Sequence, residues 1–224
     1  MSNVVWSYSS LSLYQQCPKK YYHLKVAKDV KEELSEAITF GNEIHKIAEN
    51  YVAHGSPIPE KYKHIEPGLQ ALRDMDGRKL CENKLGLTAD FKPCGFFDKG
   101  VWWRGIADLI ILQGDTALTV DYKTGKSSKY ADLKQLEILS LAIFKHYPEV
   151  KRVKAGLMFL FADALVKAEY HADKQSDMWI PWVSDVGQLE ASIKNQVWNA
   201  KPNFTCRGYC PVVDCVHNEG ARNG

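Results

Sequence analysis

No run in this 224-residue chain approaches 18 apolar residues, so the sequence holds no candidate membrane-spanning helix. Its opening, MSNVVWSYSSLSLYQQCPKKYY, has neither the basic start nor the apolar core of a secretory signal. Both absences point to the cytoplasm of a prokaryotic cell or phage-infected host. Charge of one sign is lacking too. The 29 Lys and Arg against 27 Asp and Glu leave a formal +2, so a polyanionic partner has to be held by local patches. Internal repeats and low-complexity segments are absent. Cysteine is sparse along the body: Cys17, Cys81 and Cys94 stand alone, while Cys206, Cys210 and Cys215 crowd the C-terminus. In a cytosolic chain such a cluster more often binds metal than forms disulfides. What remains, 45% hydrophobic and 25% charged residues, is ordinary for a soluble globular protein with a substantial core.

The pattern predicts a short helix capped by Ser9 or Ser10 and running to about Tyr22, followed by a lysine-rich stretch to Leu34. A second helix is expected over about Ser35–Ala53, with Ile44, Ile47, Ala48 and Tyr51 on one face. HGSPIPEKYKH reads as a loop and IEPGLQALRDM as a helix. ENKLGLTADF, GVWWRGIADLIIL and TALTVDYK read as strands. A helix from about Ala131 to Tyr147, strands KAGLMFLF and VKAEYH, and a last helix over Asp185–Ala200 follow. This order predicts an α/β fold with a mixed central sheet, an antiparallel meander and flanking helices.

Between the second and third strands lies LQGDTA. A two-residue Gly114-Asp115 turn of type II′ pairs Gln113 with Thr116, and counting outward sets Asp108 opposite Asp121. Opposed residues have Cβ atoms roughly 4.5–5.5 Å apart and share a face, and Lys123 lies on that face as well. Alone, an Asp-x-Lys is a surface ion pair. An aspartate inside the apolar IADLIIL, facing another carboxylate, instead asks for a cation between them. Oxygen ligands suit Mg²⁺ or Mn²⁺. A one-residue slip would separate the two carboxylates.

GIAD followed by VDYKTG resembles the split signature of PD-(D/E)XK nucleases, and GNEIHKIAE resembles the helical histidine motif of their RecB-like branch. SYSSLSLYQQCPKKYY is similar to the start of that branch. The resemblance runs from residue 7 to 217 and implies a restriction-endonuclease-like core. It implies one domain over 1–224, with N-terminal helices at 7–55, a catalytic core at about 80–165, and a C-terminal helix and cysteine cluster at 185–217. It gives Asp108 and Asp121 the metal, with the Tyr122 carbonyl and His45 completing its shell. Lys123 would position or deprotonate water, and Gln135 would line the substrate path. The tyrosine usual four residues after that glutamine is Leu139 here. Glu49 shares the His45 helix face and reads as a neighbour, not a ligand.

CRGYCPVVDC, with three cysteines in ten residues and His217 beyond, is a metal signal. The resemblance adds Cys17 as a fourth ligand, as in iron–sulfur members of the branch. Four thiolates hold a 4Fe–4S cluster, which would clasp the chain ends around the nuclease core. Because the spacing departs from that pattern, zinc on Cys206, Cys210, Cys215 and either Cys17 or His217 stays open, as do unliganded thiols.

CPKKYYHLK offers Lys19 and Lys20 for phosphates, with Tyr21 and Tyr22 as stacking rings. The alternative is core tyrosines beside solvated lysines. No feature reads bases in a groove. Together these readings predict a Mg²⁺- or Mn²⁺-dependent deoxyribonuclease. The favoured form is an exonuclease of recombination, repair or degradation, of phage or prokaryotic kind. It would act on DNA with free ends or single strands, with recombination or replication proteins as partners. The alternatives are a structure-specific endonuclease and a noncatalytic DNA-binding or assembly subunit.

Overall fold

The computed structural model of the chain describes residues 4–31, 35–129 and 131–219. The end of the lysine-rich stretch, residues 32–34, lies outside them. The chain divides into two compact units, one of residues 35–179 and one of the described parts of 2–34 and 180–224.

The first unit is built on a six-stranded sheet in the order β2-β1-β3-β4-β5-β6. Its strands are β1 (Arg78–Leu87), β2 (Pro93–Cys94), β3 (Trp103–Gln113), β4 (Thr116–Lys123), β5 (Arg152–Phe159) and β6 (Ala164–His171). All neighbours are antiparallel except β4 and β5. A parallel pair needs a crossover, and α5 (Lys134–His146) supplies it.

One face of the sheet is covered by α3 (Glu36–His54) and α4 (Glu66–Asp74). Ser35 caps α3 by accepting the Ile38 amide, and Gly55 ends it at φ +71°, a left-handed conformation that glycine adopts without a Cβ penalty. Ile44, Ala48, Tyr51 and Val52 repeat at helical spacing and bury against Leu69 and Leu72 of α4. Beneath them lie Leu109, Ile111, Val120 and Tyr122 of β3 and β4. Each such side chain contributes about 1.5–3 kcal/mol by leaving water. Helix α5 buries Leu136 and every residue from Ile138 to Phe144, so it is enclosed nearly all round. It starts at Lys134, later than expected, where the Asp132 side chain accepts the Lys134 amide at 2.9 Å.

The Gly114-Asp115 turn forms as expected, with Gly114 at φ +59°. The ladder then pairs Gln113 with Thr116 and closes at Leu109 with Val120. Asp108 and Asp121 are the next step of this register. On the other side of β3, Cys81 pairs with Leu109 and Asn83 with Ala107. Between them Glu82 adopts φ +48°, uncommon for a residue with a side chain. The two-residue strand β2 was not anticipated; it pairs only Gly86 with Cys94 and Leu87 with Pro93.

In the second unit, α1 (Tyr8–Gln16) is capped by Ser7, not Ser9 or Ser10. Ser7 Oγ accepts the Ser10 amide while Ser10 Oγ accepts that of Ser7, a reciprocal capping box. The helix does not run on to Tyr22. Pro18 forces the preceding Cys17 into extended backbone, φ −162°, and a new turn α2 (Pro18–Tyr21) starts after it. The last helix, α6 (Gln175–Asn195), begins ten residues earlier than expected and carries Pro181 inside. Among the described residues no helix is long and apolar enough to cross a membrane.

Candidate active site

Asp108 sits where β3 and β4 stop pairing. Its Oδ2 accepts the Tyr122 amide at 2.7 Å, taking over a hydrogen bond that the ladder no longer supplies. The same oxygen lies 3.3 Å from His45 Nδ1. That partner holds the His45 imidazolium above the usual histidine range. Burial opposes it, while the charges of Asp108 and Asp121 and a bond to the Tyr122 backbone assist. Helix α3 delivers His45 one position after buried Ile44, so the ring comes off the edge of the packed stripe.

The third member of this group was not read from the sequence. Donor atoms of His45, Glu82 and Asp108 all lie within 4.8 Å of one another. Glu82 comes from the left-handed break in β1. Burial lifts its carboxyl above the ordinary range, and the charges of Asp108 and Glu49 add to this. Glu49 itself pairs with Lys46 at 2.7 Å and stands beside the group as a neighbour. One imidazole and two carboxylates converging on one point make a donor set for a divalent cation with oxygen preference.

Asp121 faces a second set of partners. Its Oδ1 accepts from Gln135 Nε2, and its Oδ2 lies 2.7 Å from Lys123 Nζ with no other hydrogen bond. Lys123 in turn donates to Gln135 Oε1 at 3.0 Å. The three side chains close a triangle around the end of β4. Asp121 is 4% exposed, and burial pushes its carboxyl up to about 6. The Asp108 charge adds to this, and Lys123 and His45 oppose it. The structure thus brings His45, Asp108, Asp121, Tyr122, Lys123 and Gln135 together. Leu139, where the expected tyrosine is missing, is buried under Gly105.

In the second unit, Cys17, Cys206, Cys210, Cys215 and His217 line one small cavity. The Lys201 amide donates to Cys17 Sγ at 3.5 Å, and Asn203 ties the Gln16 carbonyl at 3.2 Å. Buried Asn218 donates to the carbonyls of Cys210 and Val212, both at 3.0 Å. Burial raises the Cys210 thiol, while a Val212 amide and Lys20 lower it; Cys206 and Cys17 raise it further. Cys81 and Cys94 lie in the other unit, half-buried.

The basic-aromatic segment is placed differently from its expected role. Lys20 and Tyr21 are buried, Lys20 against the cysteine cavity and Tyr21 stacked on Trp198 at 6.0 Å. Tyr22 also packs on Trp198, at 5.4 Å. This packing accords with the alternative of core tyrosines for Tyr21. Lys19 and Tyr22 are half-buried.

None of the curated proteins compared with this chain matches it. Among solved structures, it is similar to one described as "Putative exonuclease" from Eubacterium rectale. That match has 11% identity and a TM-score of 0.55, over 97% of this chain and 87% of that one. It also aligns with the crystal structure of SSO0001, at 15% identity and a TM-score of 0.49, over 97% and 88% of the two chains. The first of these shares the fold. The model of one family matches residues 5–84 and 69–215, nearly the whole length, and includes every residue of the site above. The chain belongs to the PD-(D/E)XK nuclease superfamily.

Proposed function

We propose that the chain is a divalent-metal-dependent deoxyribonuclease acting as an exonuclease in the cytoplasm, its two units working as one nuclease domain. The observation that carries this is the meeting of His45, Glu82 and Asp108 donor atoms beside the Asp121–Lys123–Gln135 triangle. The donors fit Mg²⁺ or Mn²⁺: carboxylate oxygens dominate, and burial first, then the charge of Asp108, holds both Glu82 and Asp121 above their ordinary range. Bound there, such a cation lowers the pKa of water and stabilises charge developing on phosphate.

The chain's own residues supply the rest. Asp108 and Glu82 present carboxylate oxygens, His45 an imidazole nitrogen, and Tyr122 its backbone carbonyl. Asp121 completes the set from the opposite strand. Lys123 Nζ is partly exposed and engaged by Asp121 and Gln135, which leaves its third proton for the attacking water or a phosphate oxygen. Gln135 accepts from Lys123 and donates to Asp121, fixing both in one orientation. This is preorganisation around developing charge. The exonuclease mode follows the name carried by the Eubacterium rectale protein. An end requirement tests it, because a circular single strand survives an exonuclease and not an endonuclease.

In the second unit we propose that Cys17, Cys206, Cys210 and Cys215, which line one cavity, hold a 4Fe–4S cluster, with zinc as the alternative. A cluster held there would tie residue 17 to residues 206–215, a loop whose closure constrains the unfolded chain. Brown, iron- and sulfide-containing protein from anaerobic purification is expected; colourless protein with stoichiometric zinc refutes the cluster.

The decisive test is digestion of end-labelled single- and double-stranded DNA with Mg²⁺ or Mn²⁺. Lys123→Ala and Asp121→Ala should abolish cleavage. Undiminished turnover by both variants sinks the site. No turnover by the wild type on any DNA or RNA favours a noncatalytic binding subunit.

A further inference from the structure

Outward from Glu82 along β1 and from Asp108 back along β3, the sheet changes character. One face there is closed: Leu85, Leu87 and Trp103 are buried, and Gly105 lies against Leu139 of α5. The opposite face carries Lys84 across from Ile106 and Gly86 across from Arg104. Ile106 is 38% exposed. The connection after β2 then brings two aromatic rings to it. Arg104 Cζ lies 5.2 Å from the Phe96 ring centre, and Lys84 Nζ lies 5.6 Å from that of Phe97. The two rings meet edge-on at 4.9 Å. Phe97 is 76% exposed.

We infer that Lys84, Ile106, Arg104, Phe96 and Phe97 form a track for a single-stranded DNA segment leading to the metal site, an inference that rests on the nuclease reading. Three observations select this occupant. Among the described residues neither Lys84 nor Arg104 has a carboxylate partner. The nearby acids are engaged elsewhere, Asp98 by the Gly95 amide at 2.6 Å and Asp90 by Lys92 at 2.6 Å. Two cations without counter-ions beside an exposed ring match alternating phosphates and bases.

The strip is also continuous with the site. Arg104 precedes Asp108 by four residues, about 13 Å at about 3.3 Å per strand residue. That is the reach of a few nucleotides of single strand. Finally, Phe97 presents a face, and a base offers its own face only when unpaired. An apolar partner protein has no use for the cations, and a duplex has none for the ring.

The test uses the full chain and a fluorescein-labelled oligo(dT), read by anisotropy in EDTA so that binding is measured without cleavage. Phe97→Ala should weaken binding about tenfold, within the range of one lost base stack, and Phe97→Trp should restore it. Arg104→Gln and Lys84→Gln should each lower the slope of log affinity against log salt by about 0.7. Phe97 is exposed, so its variants keep the wild-type melting temperature. Unchanged affinity and slopes, with wild type still binding and cleaving, overturn the track and leave the nuclease reading standing. An equal loss on a blunt duplex overturns the single-strand assignment. A wild type that neither binds nor cleaves DNA removes the nuclease reading itself, and the track with it.

Discussion

Asp121→Asn should make the metal-free protein more stable while destroying its activity. The Asp121 carboxyl is 4% exposed and held at about 6, against 3.8 for the free group, by burial and by Asp108. The sign is fixed by linkage: below about pH 4 the group is neutral folded and unfolded, and nothing is lost. As pH rises from about 4 through 6 the unfolded chain gives up its proton first, so stability falls. Above about 6 the loss is complete. A gap of about two pH units at about 1.36 kcal/mol each is about 3 kcal/mol. Asparagine keeps the oxygen that accepts from Gln135 and carries no charge to desolvate. The assay is thermal and urea unfolding in EDTA from pH 4 to pH 8. The variant should match wild type near pH 4 and exceed it by about 3 kcal/mol at pH 8, roughly 6–12 °C for a chain of this size. Adding Mn²⁺ should narrow the gap by stabilising wild type more than the variant, which keeps the His45, Glu82 and Asp108 donors but lacks the Asp121 charge. A variant less stable than wild type at pH 8 without metal refutes the argument.

Glu82→Gln should weaken Mn²⁺ binding by at least tenfold in calorimetry while leaving the fold intact, because it removes one charged donor from three; unchanged affinity removes Glu82 from the site. Gly105→Ala should destabilise by about 1–3 kcal/mol, since the new methyl would stand 2.7 Å from the fully buried Trp103 ring. Equal urea midpoints for the two proteins would contradict this. Ser7→Ala removes the Oγ that accepts the Ser10 amide, one half of the α1 capping box, and should cost about 1 kcal/mol, read as a lower urea midpoint; its absence would mean the helix end is held by other contacts.

The carboxylate pair was legible because local chemistry fixed it. A two-residue turn leaves one register, and the observed ladder through Gln113 and Thr116 is the one Gly114-Asp115 demands. His45 was legible by its place beside a buried stripe and by family likeness. Glu82 was not, for two physical reasons. Its strand meets β3 across the irregular segment from Thr88 to Trp102, which specifies no register. Its orientation depends on a positive φ, which no side-chain pattern announces. The helix ends failed for a different reason: cap choice among Ser7, Ser9 and Ser10 turns on a reciprocal hydrogen bond that three serines in four positions offer equally well. In KKYY what the pattern leaves open is environment. Tyrosine and lysine look alike in sequence whether a ring stacks on Trp198 or on a base.

The Asp108–Tyr122 bond bears on how an inactive relative would be recognised. This aspartate replaces a ladder hydrogen bond at the point where two strands part, so the chain needs an acceptor there whether or not it cuts anything. Asp108→Ala would leave the Tyr122 amide stranded, and a dead Asp108→Ala enzyme would report misfolding as readily as lost chemistry. Asp108→Asn separates the two. A degenerate copy of this chain could therefore keep its aspartate indefinitely as a structural brace. Loss of Lys123 or Glu82, which brace nothing in the ladder, would be the mark of a nuclease that has stopped working.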